Sequence, residues 1–105
     1  MTRNIKIVIA DDHTIVRSGI RSLLEKMQGL EVVGEAADGR ETLKLTKAME
    51  TDIAILDIAM PRMNGIETTR RILKEKPRVK VIILSMYANE EYVLQAIQAG
   101  ASGYL

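Results

Sequence analysis

Three carboxylates stand where apolar runs end: Asp11 and Asp12 directly after Ile5 to Ala10, and Asp57 directly after Ile53 to Leu56. Brought together, they would repel. Two like charges about 5 Å apart cost roughly 3 kcal/mol at an effective dielectric of about 20, so such a cluster calls for a cation or a proton. With only oxygen ligands on offer, a hard ion such as Mg2+ is the natural guest. It keeps several waters and favours one or two carboxylates plus a phosphate oxygen. The cluster therefore asks for a phosphoryl group. A carboxylate can itself attack phosphorus to give an aspartyl phosphate, with positioning and charge neutralisation supplying most of the catalysis. Asp57, alone on its run, suits the nucleophile's role better than the adjacent pair. Ser85, at the exit of the run Val79 to Leu84, could donate a hydrogen bond to that group. His13 sits next to Asp12, yet it reads as a surface or helix-start histidine rather than a metal ligand or general base.

For these residues to meet, their elements must share one end of a sheet. Ile5 to Ala10 is β-branched and nearly continuous in apolar character, which favours a strand covered on both faces. From Thr14 the spacing of Val16, Ile20, Leu23, Leu24 and Met27 predicts a helix ending near Gly29. Glu31 to Ala36 predicts a shorter strand suited to a sheet edge. Asp38 with Glu41 has the form of a capping box, opening a helix whose apolar side is Leu43, Leu45, Ala48 and Met49. Asp52 to Leu56 is the central strand. Met60-Pro61 forces the chain out of it, and Asn64 with Glu67 opens a third helix carrying Ile66, Thr69, Ile72 and Leu73, which Pro77 ends. Gly65 is expected to ease entry into that helix. Val79 to Leu84 predicts a fourth strand, and Asn89 caps a helix with Val93, Ala96 and Ile97 inward. Gly100 stops that helix, and Ala101 to Leu105 begins a fifth strand.

Strands alternating with helices imply right-handed crossovers and a parallel sheet. With the Glu31 strand at one edge, the expected architecture is α/β: a flavodoxin-like, doubly wound five-stranded parallel sheet of order 2-1-3-4-5, lacking a final helix. Ligands of such sheets bind beyond the strands' carboxyl ends at the switch point, here between the first and third strands, where Asp11, Asp12 and Asp57 should converge.

The 105 residues, 47% hydrophobic and 28% charged, fit one domain over residues 1 to 105 and leave no room for a second. A net charge of +1 with scattered basic residues disfavours DNA binding by this chain. No cysteine is present, which rules out a disulfide framework or a thiolate metal site and is compatible with a cytoplasmic location. The first residues lack the apolar core and cleavage site of a signal peptide, and no segment approaches membrane-span length.

The D-D after the first strand, D-I-A-M-P-R-M-N-G around the third, L-S-M after the fourth and A-G-A-S-G-Y-L at the end resemble the receiver domain of two-component response regulators. The spelling I-A-D-D-H-T-I-V-R-S-G-I with E-V-V-G-E-A-A-D-G most resembles receivers that precede a LuxR-type (NarL/FixJ) helix-turn-helix domain. The resemblance implies Asp57 as phosphoacceptor, and Asp12, Asp57 and the Ala59 carbonyl as direct Mg2+ ligands. Asp11 would hold the ion largely through water. Ser85 corresponds to the switch hydroxyl, Tyr104 to the aromatic that turns inward after phosphorylation, and Ala59 and Tyr87 to the positions flanking the acyl phosphate. The implied partner is a sensor histidine kinase, with a population shift between two conformations as the signal. DNA would be reached only through an output domain absent from these residues.

Members of that family carry a lysine shortly after the last strand's aromatic, and then a fifth helix; the sequence ends at Leu105, within the fifth strand, before either. Lys80 begins the fourth strand and so belongs to the opposite end of the sheet, and the direction of Arg62 is open. Right-handed crossovers place the first helix alone on one face and the other three opposite, so apolar side chains of the third to fifth strands would face water. The expectation is a part of a longer regulator, or a homodimer in which a second copy covers that face by swapping or packing. Three functions compete: a Mg2+-dependent phospho-accepting receiver that catalyses only its own phosphorylation and dephosphorylation, a phosphorylation-independent interaction module with the same fold, and a small phosphatase acting through an aspartyl intermediate. The last is weakest, since Ala59 stands two residues after Asp57 and no second acid is ready as general acid.

Overall fold

The computed structural model describes residues 4–85 and 90–105. Five parallel strands, β1 (Ile5–Ala10), β2 (Leu30–Ala36), β3 (Ile53–Leu56), β4 (Lys80–Ile83) and β5 (Gly103–Tyr104), pair in the order β2-β1-β3-β4-β5. Between them run α1 (Thr14–Glu25), α2 (Gly39–Ala48), α3 (Gly65–Glu75) and α4 (Glu90–Gln98). This is the expected flavodoxin-like order, with the glutamate-flanked β2 at one edge; among the described residues no helix follows β5.

The register explains the layering. Val8 and Ala10 pair with Ala54 and Leu56, and these pair with Val81 and Ile83, so all six side chains share one face. Each is 1% exposed or less. That face packs against Ile66 and Ile72 of α3, Ala96 of α4, and Leu43 and Leu45 of α2. On the other face, Ile7 and Ile9 are buried, while Ile53, Ile55 and Ile82, at the adjoining register positions, stay half-buried. Helix α1 packs mainly on β2 and β1.

Several expected inward stripes are only partly inward. Of the expected α1 stripe, Ile20 and Leu24 are half-buried, but Val16, Leu23 and, past the helix end, Met27 are exposed, and no α1 residue is fully buried. The helix also ends at Glu25, short of Gly29. In α2 the buried positions are Gly39, Thr42 and Thr46, the two threonine hydroxyls donating to the Asp38 and Leu43 carbonyls, while Ala48 and the C-cap Met49 are exposed. In α4, Ala96 is buried and Val93 half-buried, whereas Ile97 is exposed.

Helix ends follow the sequence signals closely. Asp38 accepts from the Glu41 N–H at 2.8 Å, and Asn64 from the Glu67 N–H at 2.9 Å. After α4, Gly100 at φ 105° lets its own N–H donate to the Ile97 carbonyl and the Ala101 N–H to the Ala96 carbonyl, the paired bonds of a Schellman motif. The expected cap Asn89 lies outside the described residues. Among the described residues, no helix is long and apolar enough to cross a membrane.

Arginines take the inward places that the α1 stripe leaves. Arg17 donates through Nη1 to the carbonyls of Asp11 (2.7 Å) and Ala36 (3.4 Å), and through Nε to Glu35 (3.0 Å). Arg21 adds a second bond to Glu35, and this bond, with that from Arg17, holds the Glu35 carboxyl below its usual range. Arg17 thus ties α1 to the carboxyl ends of β1 and β2. Arg17→Ala is expected to lower the stability measured by urea unfolding by about 2 kcal/mol, with Arg17→Lys recovering only part because one ammonium cannot match the planar fork. A loss under about 0.5 kcal/mol would place Arg17 among ordinary surface residues.

Candidate functional site

The sheet ladder itself brings the acids together. Ala10 and Leu56 are register partners, and one residue later the Asp57 N–H donates to the Ala10 carbonyl (2.9 Å) and the Asp11 N–H to the Ala36 carbonyl (3.0 Å). Asp11 and Asp57 therefore leave adjacent strands side by side. One side-chain ligand atom from each of Asp11, Asp12, His13 and Asp57 lies within 4.8 Å of the other three. Asp11 and Asp57 are buried at 6% and 8% exposure, whereas Asp12 and His13 are open to solvent.

Electrostatics follow from that crowding. Burial, reinforced by the charge of Asp11 and then of Asp12, pushes the Asp57 carboxyl above its usual range, although the backbone N–H groups of Ala59 and Ile58 oppose the shift. His13 moves the other way in charge. Its hydrogen bond to Asp11 and the nearby charges of Asp12, Asp11 and Asp57 raise its imidazole, favouring the cation.

His13 is exposed, as a surface or helix-start histidine should be. It does stand at the helix start, as the N-cap of α1, but its side chain makes no capping bond. Instead Nδ1 lies 3.0 Å from Asp11 Oδ1, 3.1 Å from Asp12 Oδ1 and 3.9 Å from Asp57 Oδ2, and its backbone N–H donates to Asp11 Oδ1 at 2.7 Å. Its adjacency to Asp12 was the available signal, but sequence alone does not give a ring's direction.

The loop between Asp57 and α3 is held from two sides. Arg62 adopts φ 67°, a left-handed conformation uncommon for a residue with a side chain, and its Nη1 donates to Asp38 Oδ2 at 2.7 Å. Its guanidinium is thus committed to the start of α2 rather than to Asp57. Lys80 begins β4, at the opposite end of the sheet from the acids. Gly65 donates its N–H to the Ile58 carbonyl at 2.8 Å, and a Cβ there would come 2.2 Å from the Asp57 carbonyl oxygen. Its role is therefore close backbone approach to Asp57, beyond the easier helix entry expected from sequence.

An open groove of about 740 Å³ begins at the acids and runs along the half-covered face. It is lined by Asp11, His13 and Asp57 at one end, with Ala59, Ser85, Leu84, Leu105, Val16 and Ile20. The Ser85 N–H donates to the Leu105 carbonyl at 3.1 Å, which fixes the β4 exit beside β5. Tyr104 is placed elsewhere. It pairs with Ile83 in register and packs, half-buried, against the core on the α4 side. Tyr87 lies outside the described residues. The donor set of clustered carboxylate oxygens, two of them on buried residues, fits a hard divalent cation such as Mg2+, whose charge would offset the repulsion that raises Asp57.

The family model for the response regulator receiver domain matches residues 7–105. Response regulator GacA of Pseudomonas aeruginosa is 38% identical over 101 residues, which are 96% of this chain and 47% of that protein. Response regulator UvrY of Escherichia coli O6:H1 is 40% identical over 101 residues, 96% of this chain and 46% of that protein. The chain thus spans about half the length of these regulators. Among solved structures, the signal receiver domain of a response regulator NarL from Mycobacterium tuberculosis superposes with a TM-score of 0.94 at 35% identity, covering 98% of this chain and 83% of that one. A LuxR-family two-component response regulator from Aurantimonas gives 0.92 at 40% identity, covering 96% and 72%.

Proposed function

The chain belongs to the response regulator receiver domain family, and from that premise we propose that it accepts a phosphoryl group on Asp57 from a sensor histidine kinase in a Mg2+-dependent reaction. The observation that carries this reading is the convergence of Asp11, Asp12 and the buried Asp57 at the switch point of the sheet. An Asp57 carboxylate oxygen attacks phosphorus, an O–P bond forms as the donor's N–P bond breaks, and the leaving imidazole takes up a proton. Asp12, Asp57 and the Ala59 carbonyl would hold the cation, with Asp11 beside them as a further carboxylate. A bound Mg2+ supplies charge neutralisation for the carboxylates and the incoming phosphoryl oxygens.

The remaining roles follow the same reading. Ser85, on the wall of the groove that Asp57 opens into, donates its hydroxyl to a phosphoryl oxygen. Tyr104, half-buried at the β5 edge, is the aromatic whose population shifts inward. The output is transcriptional, through a DNA-binding domain outside these residues, in the cytoplasm. A homodimer or swapped assembly accounts for the half-covered face of β3 and β4.

Intact-mass measurement after incubation with acetyl phosphate tests the reading. With Mg2+ a single phosphoryl adduct is expected, and chelation of the ion should suppress it. Binding of Mg2+ with no adduct would favour the interaction module, and steady turnover of added phosphate esters would favour the phosphatase.

A further inference from the structure

We propose that Arg17 is a positioning residue for the cation site, holding the peptide that joins Asp11 to Asp12 so that both carboxylates stay beside Asp57. This rests on the metal site proposed above and adds to it a residue that acts through the backbone of its ligands rather than on the ion.

The route of the backbone bonds is the first argument. The regular ladder of β1 ends at Ala10, and beyond it both backbone groups of Asp11 lead to one guanidinium. The Asp11 carbonyl accepts from Arg17 Nη1 at 2.7 Å, a short, charge-assisted bond. The Asp11 N–H donates at 3.0 Å to the Ala36 carbonyl, which the same Nη1 reaches at 3.4 Å. A peptide unit is planar, so a fixed Asp11 carbonyl fixes the line from the Asp11 Cα to the Asp12 Cα. Those two residues carry the carboxylates that join Asp57 in the cluster.

The guanidinium is itself held. Its Nε donates to Glu35 Oε1 at 3.0 Å, Glu35 is tied in turn to Arg21, and the Arg17 side chain is only 18% exposed. A planar fork can meet acceptors in several directions at once, and a single ammonium cannot. Charge and geometry then predict opposite results when Arg17 is removed. As a cation near the acids, it opposes the entry of a second cation, so on charge alone its loss tightens Mg2+ binding. As the support of the Asp11–Asp12 peptide, its loss weakens binding, because the carboxylates must then be ordered by the ion.

The test is calorimetric titration with Mg2+ of the wild-type chain, Arg17→Ala and Arg17→Lys, well below their thermal midpoints, with amide exchange of the metal-free chains measured by NMR. Val79→Ala, which opens a cavity at the opposite end of the sheet, is the control for lost stability alone. Mg2+ affinity is expected to fall about tenfold in Arg17→Ala, to fall also in Arg17→Lys, and to stay at the wild-type value in Val79→Ala. Exchange at the Asp11 and His13 amides should accelerate more in Arg17→Ala than in Val79→Ala. Binding that is unchanged or tighter in Arg17→Ala overturns the assignment, as does an equal loss in Val79→Ala. If Arg17→Ala does not fold, Arg17→Lys decides in the same way, with weaker binding in support and wild-type binding against. A wild-type chain that binds no Mg2+, while Arg17→Ala loses protection at Asp11 and His13, would overturn the Mg2+-dependent function and leave the hold of Arg17 on the acids supported.

Discussion

Asp57→Asn is expected to abolish the phosphoryl adduct and, in the metal-free chain at neutral pH, to raise the thermal midpoint. The two effects have opposite signs because the crowded Asp57 carboxylate costs stability while no cation offsets its charge. Burial and the neighbouring Asp11 charge hold the Asp57 carboxyl above its ordinary value, so the folded state binds its proton more tightly than the unfolded chain does. The stability linked to that proton is fully present below the ordinary carboxylate range and is lost as pH rises through the raised value. At neutral pH the ionised group therefore costs stability, and a neutral amide of nearly the same shape removes the cost. The expected gain is on the order of 1 kcal/mol, which in a domain of this size is about 4–8 °C. It should vanish on acidification below the ordinary range. Mg2+ should act in the reverse sense, stabilising the wild type by about 2.7 kcal/mol at a hundredfold excess over its Kd and the variant by less. Calorimetry in chelator across a pH series checks this. A midpoint that falls in Asp57→Asn at neutral pH would mean that the carboxylate's backbone hydrogen bonds outweigh its burial and crowding.

Gly65→Ala carries the largest expected cost to the fold. Alanine in an exposed helix normally gains about 1 kcal/mol over glycine, and Gly19 in α1, with nothing within 4 Å of an added Cβ, is the internal control for that gain. At Gly65 the added carbon would meet the Asp57 carbonyl oxygen at 2.2 Å and the Ile58 Cα at 3.0 Å, both rigid backbone. Neither atom can rotate away, so β3's exit or the start of α3 must move. A loss of about 3 kcal/mol or more is expected in urea unfolding, above the usual range for point substitutions. Because the atom displaced belongs to Asp57, Mg2+ affinity should fall with it, by roughly tenfold. A folded Gly65→Ala with unchanged Mg2+ affinity would show that the carbonyl's contact with α3 does not position the carboxylate.

Much of this arrangement is legible in the amino-acid sequence. The apolar runs Ile5 to Ala10 and Ile53 to Leu56 were strands because strand burial on both faces needs unbroken apolar character, and their ends located Asp11 and Asp57. Asp38 and Asn64 announced helix starts because a short side chain must satisfy an orphan N–H locally. The order β2-β1-β3-β4-β5 followed from alternation and handedness, and convergence of the acids followed from the order. The burial of whole helix faces was less legible. Val16, Leu23, Ala48 and Ile97 have the spacing of inward residues, but spacing says nothing of whether a second layer stands opposite.

The elements, their order and the meeting of three carboxylates are thus written in the residues, since each depends on periodicity, local capping or the handedness common to all such chains. It takes the folded chain to show that the His13 ring turns into the acids, that Arg62 pairs with Asp38 rather than with Asp57, and that Gly65 is small for the sake of the Asp57 carbonyl. Those are distances of a few ångströms within a tight turn or between segments brought together by the fold, and they exist only once the sheet has set the turns after β1, β2 and β3 beside one another.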